Sequence, residues 1–300
     1  MPLAYTEKRI LTDIKLFRNS GLESNGIYCH FNDSNIRNLQ SLIIGPSDSP
    51  YEKGFYFFDI TFPNNYPIEP PKVKFMTLDN LVRFNPNLYK CGKVCLSILG
   101  TWSGPGWTSC MNLNQVLLSI QSLLHEHPIQ NEPGWESETG QRSKDYNALL
   151  EYYNYTVAII KMIKKTPYGY EEFKPIMMKS LIDNLDFHVD KLNSLVKFDN
   201  KTIKSSIYSM NDIVNYSKIL DELKFLVTQY DTTINPVIFD RTLDNTKEIK
   251  KNTKKYQRKA PDESSKNYDV GFTMVSVNDN KTYKVLLRNN GSKYWKKIIA

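Results

Sequence analysis

The sequence predicts an α+β fold in which one helix is followed by a group of strands and then by several helices. Apolar residues recur at helical spacing in residues 6–19. Strand-like segments follow between residues 36 and 77, and their short connections indicate antiparallel pairing, because parallel strands need a crossover of about a dozen residues. From residue 109 onwards the apolar residues return to helical spacing.

The strand region contains segments rich in β-branched and aromatic residues, each bounded by turn residues. One segment ends at Gly45-Pro46, and an aromatic, alternating one stops at Pro63. A third begins at the pair Pro70-Pro71, where a proline breaks no hydrogen bond of a sheet. The predicted strands are 39–44, 54–62 and 70–76.

Helical patterns dominate the middle of the chain. Ser109 is the predicted N-cap of a helix that runs to about residue 125, with one apolar stripe turned to the core. Pro128 and Pro133 then favour an extended segment. Further helical patterns lie at 143–165, 171–193 and 211–229. The last thirty residues alternate between turn residues, which predicts a small three-stranded meander.

The formal net charge of +7 is concentrated in one segment. Residues 241–259 contain eight Lys or Arg against two Asp or Glu, and the remainder of the chain is close to neutral. A solvated linker is the expected structure, with an arm for nucleic acid or an acidic partner as the alternative; no recognition motif supports that arm. No apolar run approaches the roughly 18 residues of a membrane span, and the first residues lack a secretory pattern, so a cytosolic or nuclear protein is expected.

Four cysteines fit a reducing compartment as free thiols. Cys91 and Cys95 have the spacing of half a zinc site, but no second pair stands at finger-like spacing, and His125 and His127 lack the i, i+4 spacing of two ligands on one helix face. The prediction is therefore no metal, with a thiol or zinc protein built on Cys91 and Cys95 as a weaker alternative.

Cys95 has the surroundings of a nucleophile. It follows an Asn-Pro-Asn turn by eight residues and precedes a loop rich in Gly and Trp. A lone cysteine is usually a small buried hydrophobe, but this context is mixed. An ordinary thiol is a few per cent thiolate at neutral pH, which is enough for thiol exchange without a dedicated base. The sequence has no evident Cys-His-Asn set, so thioester exchange is favoured over peptide hydrolysis.

A family resemblance joins these features. The run PSDSPYEKGFYFFDITFPNNYPIEPPKVKF, then NPN, then GKVCLSIL and a Trp-bearing loop with its helix resembles the ubiquitin-conjugating enzymes from the first helix to about residue 165. RFNPNLYKCGKVCLSILGTWSGPGW and HPIQNEPGWE are most similar to the large Z-type members. The resemblance implies the ubiquitin-conjugating fold, with an N-terminal helix, a four-stranded antiparallel meander and C-terminal helices. It also implies a helical extension beyond that fold.

The resemblance implies roles for three residues in catalysis. Cys95 takes the position of the cysteine that carries the C-terminal glycine of ubiquitin, or of a ubiquitin-like protein, as a thioester. Asn87 takes that of the amide that supports the active-site loop and stabilises the oxyanion. Glu132 matches the acidic residue that positions and deprotonates the incoming lysine.

The same resemblance implies partners and no cofactor. Ile68 matches an exposed loop position that binds ligases, together with the loop at Trp107 and Ser109. Lys8 and Arg9 match helix positions that meet the activating enzyme and ligases. ATP would be used by that upstream enzyme, and the chain has no P-loop of its own. A catalytically inactive scaffold of the same fold, binding ubiquitin or a ligase, is the alternative.

The sequence departs from the family pattern at three places. Asn85 stands where most members have a structural histidine, Ser97 replaces an aspartate, and residues 100–106 lengthen the loop before Trp107. The predicted division is a catalytic core, a helical extension, a basic linker and a possible small β-meander, at 1–168, 169–240, 241–268 and 269–300.

Overall fold

The computed structural model describes residues 5–32, 34–234, 265, 268–275, 281–287 and 293–298. The chain divides into two compact units, residues 1–236 and residues 237–300. No helix in the described part of the chain has both the length and the apolar character needed to cross a bilayer.

The first unit begins with helix α1 (Tyr5–Arg18), close to the predicted limits. Ile10, Ile14 and Phe17 face the core from successive turns of this helix. Four strands follow in the spatial order β1-β2-β3-β4, and every neighbouring pair is antiparallel. The implied four-stranded meander is therefore confirmed, with β1 (Ile27–Phe31), β2 (Asn38–Ile44), β3 (Phe55–Thr61) and β4 (Lys72–Phe75).

Strand β1 lies before the region in which the sequence indicated strands. Four of its five residues are half-buried, so it lacks the alternation of buried and exposed positions that identifies a strand in sequence. Its pairing with β2 places Cys29 opposite Ser41. Only the partner strand makes this segment a strand.

Helix α2 (Leu113–Gln121) starts later than predicted, because its N-cap is Asn112 and not Ser109. The Asn112 side chain accepts hydrogen bonds from the backbone N–H groups of Asn114 and Gln115, and the Gln115 side chain accepts one from the N–H of Asn112. This reciprocal pair is a capping box, which satisfies otherwise unpaired N–H groups at the helix start.

Helix α3 (Gln141–Tyr153) continues through the π-helical segment Asn154–Lys161 into the single turn α4 (Met162–Lys164), in agreement with the predicted helix at 143–165. Beyond it, the predicted helix at 171–193 is two helices, α5 (Lys174–Asp183) and α6 (Leu185–Leu195), which meet at Asn184. Short 3₁₀ helices occupy Leu22–Asn25, Ser97–Leu99, Pro128–Asn131, Glu171–Phe173 and Val196–Phe198.

The predicted helix at 211–229 is wrong in its first residues. Residues 211–213 form a strand, β6 (Asn211–Ile213), which pairs with β5 (Thr202–Lys204), and the helix α7 is Tyr216–Ile234. The Asp199 carboxylate accepts hydrogen bonds from the backbone N–H groups of Tyr216 and Ser217 and so stabilises the start of α7. A residue 17 positions upstream of Tyr216 thus decides where the helix begins.

The four-stranded sheet is covered on both faces. Alternate residues of β3 point to opposite sides, so that Tyr56 and Phe58 pack in the core with α1, α2 and α3. Phe55 and Phe57 pack on the other side against the segment that follows α3, including Tyr170 and other residues of the extension. The Tyr170 hydroxyl also donates a hydrogen bond of 2.6 Å to Asp59 Oδ1 of β3. The extension is therefore part of the same folded unit as the sheet.

We expect Phe57→Ala to lower the free energy of unfolding by about 3–5 kcal/mol. Phe57 is fully buried, and its ring centroid lies 4.6 Å from that of Tyr170, so truncation leaves a cavity between sheet and extension. Urea unfolding followed by circular dichroism measures the loss. Ile68→Ala is the control, since Ile68 is 74% exposed and its truncation is expected to cost less than about 0.5 kcal/mol. Equal losses of unfolding free energy in Phe57→Ala and Ile68→Ala would contradict the packing of Phe57 against Tyr170.

The second unit contains a three-stranded antiparallel sheet, β7 (Thr273–Val275), β8 (Thr282–Leu287) and β9 (Lys293–Lys297). The meander predicted for the last thirty residues is thereby confirmed. Val285 is buried at the middle of β8, and Trp295 is its partner on β9. The linker predicted at 241–268 falls largely outside the described residues.

Candidate active site

Cys95 is held by two hydrogen bonds to one residue, Asn87. The Cys95 N–H donates to the Asn87 carbonyl at 2.9 Å, and the Asn87 Nδ2 donates to the Cys95 carbonyl at 2.7 Å. The preceding turn is fixed at the sheet edge, because the Phe75 N–H of β4 donates to the Gly92 carbonyl at 2.8 Å. Gly92 has φ 90°, and a Cβ there would stand 2.8 Å from the Phe75 oxygen, so only glycine fits. The eight-residue spacing between Asn87 and Cys95 is thus that of a loop closed by their two hydrogen bonds.

The four cysteines are free thiols in different surroundings. Cys95 is 1% exposed, whereas Cys91 and Cys110 lie at the surface. Burial raises the pKa of the Cys29 thiol far above its usual value, which keeps that thiol protonated. Within the described residues, no group of three or more His, Cys, Asp or Glu side chains has the arrangement of a metal site.

Asn85, at the position of the family's histidine, is the centre of a buried hydrogen-bond network. Its Nδ2 donates to the Leu123 carbonyl at 2.8 Å and to the Tyr51 hydroxyl at 3.0 Å. Its Oδ1 accepts from the Asn87 N–H at 2.9 Å and from Asn131 Nδ2 at 3.2 Å. All the hydrogen-bonding capacity of the amide is used, so the asparagine connects the Asn87 turn to the end of α2.

Glu132 follows directly after the 3₁₀ helix Pro128–Asn131 and is half-buried. Its N–H donates to the Ile129 carbonyl at 3.0 Å. The neighbouring Asn131 is bound to Asn85, so this segment belongs to the network that also holds Asn87. Hydrogen bonds therefore join Cys95 and Asn87 to Asn85 and Asn131, and Glu132 is the next residue of the chain after that network.

The long loop between Cys95 and α2 is attached at both ends. At its start, the Thr101 hydroxyl donates to the Val94 carbonyl at 2.8 Å and accepts from the Leu96 N–H at 3.0 Å. At its end, the Trp107 indole N–H donates to the Pro67 carbonyl at 2.8 Å. Trp107 is thus connected to the loop that exposes Ile68.

The remaining predicted partner-binding residues differ in whether their side chains are exposed or bound within the fold. Lys8 and Ser109 are exposed. Arg9 is bound within the fold, since its guanidinium donates to the Ser109 carbonyl at 2.7 Å and to the Met111 carbonyl, and it forms an ion pair of 2.8 Å with Asp13. Arg9 therefore fixes the segment that leads into α2, whatever else it contacts.

Two residues that sequence reasoning missed also lie at this site. Tyr208, in the loop between β5 and β6, donates a hydrogen bond to Glu132 Oε2, and the Arg83 guanidinium packs on the Tyr208 ring. Arg83 is the first residue of the run RFNPNLYKCGKVCLSILGTWSGPGW but was given no role there, and Tyr208 stands in no motif. The only signal in the sequence was an arginine two residues before the Asn-Pro-Asn turn, and nothing marked Tyr208.

Comparison with known proteins identifies the domain that holds this site. The family model described as "Ubiquitin-conjugating enzyme" matches residues 9–156. "Ubiquitin-conjugating enzyme E2 Z" of Xenopus tropicalis is 47% identical over 152 residues, which is 50% of this chain and 49% of that protein. The Homo sapiens protein of the same name is 40% identical over 187 residues, 62% of this chain and 53% of its own.

A third relative shows the same pattern. "Probable ubiquitin-conjugating enzyme protein 17" of Caenorhabditis elegans is 43% identical over 168 residues, covering 53% of this chain and 23% of that protein. The chain spans about half the length of the vertebrate relatives it matches. The region that the family model matches contains most of α1, the four-stranded sheet, α2 and the whole Cys95 loop. Residues 9–156 therefore form a domain of the ubiquitin-conjugating enzyme family, and the chain is similar to the E2 Z members of that family.

Proposed function

We propose that this chain is an active conjugating enzyme that accepts ubiquitin, or a ubiquitin-like protein, as a thioester on Cys95 and transfers it to a substrate lysine or to a ligase cysteine. The observation that carries the proposal is the pair of hydrogen bonds by which Asn87 holds both backbone groups of Cys95. Family membership supports it, since the relatives are named as ubiquitin-conjugating enzymes.

The first step of the proposed reaction is a thioester exchange. The Cys95 thiolate attacks the carbonyl carbon of the modifier's C-terminal glycine, which arrives bound to a cysteine of the activating enzyme. A new C–S bond forms at Cys95, the old C–S bond breaks, and the proton lost by Cys95 is regained by the departing thiol. ATP is consumed before this step, by the activating enzyme, and the chain is proposed to need no cofactor.

The second step is attack by a lysine. The lysine ammonium loses one proton to Glu132, and the neutral amine attacks the thioester carbonyl. The Asn87 amide has two N–H donors, and one of them already binds the Cys95 carbonyl. The second is proposed to stabilise the oxyanion. The intermediate expels the Cys95 thiolate and leaves an amide bond. Two protons then remain to be released, one from the nitrogen and one from Glu132; one of them reprotonates Cys95, and the other passes to solvent.

The proposed partner surface lies around the Ile68 loop. Ile68 is 74% exposed, and the Trp107 hydrogen bond to Pro67 keeps the two loops together, as a ligase-binding surface requires. Lys8 and Ser109 are exposed near the same end of the domain, where Arg9 binds the Ser109 carbonyl. We propose this combined surface for the activating enzyme and ligases.

The alternative function is an inactive scaffold that binds ubiquitin or a ligase. Two observations favour it: Cys95 is 1% exposed, and Asn85 stands in place of the usual histidine. The Asn85 network argues against it, because the replacement fully occupies the amide and leaves the Asn87 turn closed.

A charging assay distinguishes the two functions. The full chain is incubated with ATP, ubiquitin and ubiquitin-activating enzyme, and the products are separated with and without reducing agent. We expect a reductant-sensitive product larger by one ubiquitin. A product with another ubiquitin-like protein and its activating enzyme, but none with ubiquitin, would keep the enzyme and change the modifier. No product in any combination would support the scaffold.

A further inference from the structure

The loop that joins β5 to β6 reaches the catalytic segment from the C-terminal extension. Tyr208 lies in this loop, and its hydroxyl donates a hydrogen bond to Glu132 Oε2, 76 positions earlier in the chain. The family model ends at residue 156, so Tyr208 comes from outside the region that the family model matches. The extension therefore contributes a side chain to the site that the proposed lysine transfer uses.

The Arg83 guanidinium packs on the ring of Tyr208. The centre of the Arg83 guanidinium lies 4.2 Å from the Tyr208 ring centroid and 3.8 Å from that of Tyr89, so the guanidinium is held between the two rings. Its Nη2 also donates to the Pro86 carbonyl at 2.5 Å. Arg83 thus connects Tyr208 to the Asn-Pro-Asn turn that holds Cys95.

The backbone of the loop is strained at the same point. Tyr208 has φ 58° and Ser209 has φ 50°, which is the left-handed region that residues with a Cβ rarely adopt. Two such residues in succession are maintained only where the surroundings hold them in place. Here the Ser205 N–H donates to the Met210 carbonyl at 2.9 Å, and the Arg83 N–H donates to the Met210 sulfur at 3.2 Å.

The Tyr208 phenol is in the protonated state that a hydrogen-bond donor requires. Burial and the neighbouring Glu132 carboxylate raise the pKa of the Tyr208 phenol well above its usual value. The phenol therefore keeps its proton over the whole physiological range and can only donate to the carboxylate. A carboxylate that accepts such a bond on one oxygen has a fixed orientation, and its second oxygen has a fixed direction.

We propose that Tyr208 is a positioning residue for lysine transfer: it holds Glu132 by Oε2 so that Oε1 accepts the proton of the incoming lysine ammonium. The inference rests on the proposed function and extends it, because it makes the C-terminal extension part of the transfer site. The bonds formed and broken are those of the second step above, and Tyr208 neither gains nor loses a proton.

Tyr208→Phe tests this inference, because it removes the hydroxyl and keeps the ring against Arg83. The full chain is first charged with ubiquitin and then separated from ATP and activating enzyme, so that only discharge is measured. With free lysine, we expect discharge about tenfold slower than in the wild type, the effect of one hydrogen bond to a charged group. With dithiothreitol, whose thiol attacks without Glu132, we expect the wild-type rate.

Tyr153→Phe is the matched control. Tyr153 of α3 is likewise a tyrosine whose hydroxyl donates to a carboxylate, Asp212 Oδ2, at 3.0 Å. Asp212 lies on β6, so this bond holds the hairpin that contains Tyr208 without involving Glu132. If the hairpin acts only as structural support, both variants will slow lysine discharge alike. If Tyr208 acts through Glu132, Tyr153→Phe will discharge lysine at the wild-type rate.

Two further readouts separate positioning from general damage. In a Glu132→Gln background, Tyr208→Phe should have little additional effect, because the carboxylate it orients is gone. The difference between Tyr208→Phe and the wild type should also shrink as the pH rises from 7 towards 9.5. More of the free lysine, with its usual pKa of about 10.4, is then neutral, so it needs no acceptor for the proton that the ammonium would lose before attack.

The outcomes have distinct meanings. Selective loss of lysine discharge in Tyr208→Phe, with the non-additive double variant, supports the inference. Lysine discharge at the wild-type rate in Tyr208→Phe, or an equal loss with dithiothreitol, overturns it and leaves the proposed function standing. Failure of the wild type to form any thioester overturns both.

Discussion

Cys95→Ser is expected to abolish the reductant-sensitive product completely, because serine cannot form a thioester. The alcohol is a weaker nucleophile than the thiol, but it has nearly the same size and keeps the backbone hydrogen bonds to Asn87. A slower, reductant-resistant oxyester is therefore expected in place of the thioester. Gel separation with and without reducing agent, and after mild alkali, distinguishes the two products.

Cys91→Ser is the matched control for this prediction. Cys91 lies four residues earlier, is exposed, and forms part of the turn that ends at Gly92, so its replacement should leave charging close to the wild-type rate. Exposure by itself would point to Cys91 as the more reactive thiol. Loss of charging in Cys91→Ser, with charging retained in Cys95→Ser, would assign the reaction to Cys91 and contradict the proposed site.

Asn87→Asp is expected to slow discharge to lysine by about 10²–10³-fold, the effect of removing one oxyanion donor. Aspartate has the same size as asparagine but only accepts hydrogen bonds at neutral pH. Its carboxylate would face the Cys95 carbonyl, which now accepts from Asn87 Nδ2, and would repel the developing oxyanion. Single-turnover discharge of the purified ubiquitin thioester to free lysine measures this effect.

The charging rate of the same variant separates two roles of Asn87. The hydrogen bond to the Cys95 carbonyl supports a loop-holding role, and its loss should slow charging as well as discharge. Oxyanion stabilisation during lysine attack should affect discharge more than charging. Lysine discharge at the wild-type rate in Asn87→Asp would remove Asn87 from the mechanism. An equal slowing of charging and of discharge would leave Asn87 only the role of holding the loop.

Much of this protein follows from local sequence. Periodicity was sufficient for α1 and for strands β2, β3 and β4, because each has a core-facing side that the pattern of apolar residues records. The Asn87 turn and Cys95 lie eight residues apart in one loop, so a motif contains both partners of the hydrogen bonds that join them. Family resemblance gave the fourth strand, β1, which local pattern had not indicated.

Contacts between distant segments were decided by the tertiary structure. Asn85 was recognised as a departure from the family, but its partners Leu123 and Asn131 lie on segments that only folding brings together. The start of α7 depends on Asp199, and the second face of the sheet is covered by helices from beyond the family domain. A sequence pattern records which side of an element is apolar. It does not record which other element covers that side.

Tyr208 is the strongest example. Its hydroxyl reaches Glu132 because β5 and β6 form a hairpin that packs near α3, and because two residues at the tip adopt left-handed backbone angles. Nothing in residues 205–210, SSIYSM, marks a functional residue in the sequence, since Tyr208 has no periodic neighbour and stands in no motif. The sequence by itself predicted Cys95 and Asn87 together, because both lie in one short loop and the hydrogen bonds that join them are local. Only the tertiary structure decided what contacts the Glu132 carboxylate, because that contact depends on the path of the chain from residue 132 to residue 208.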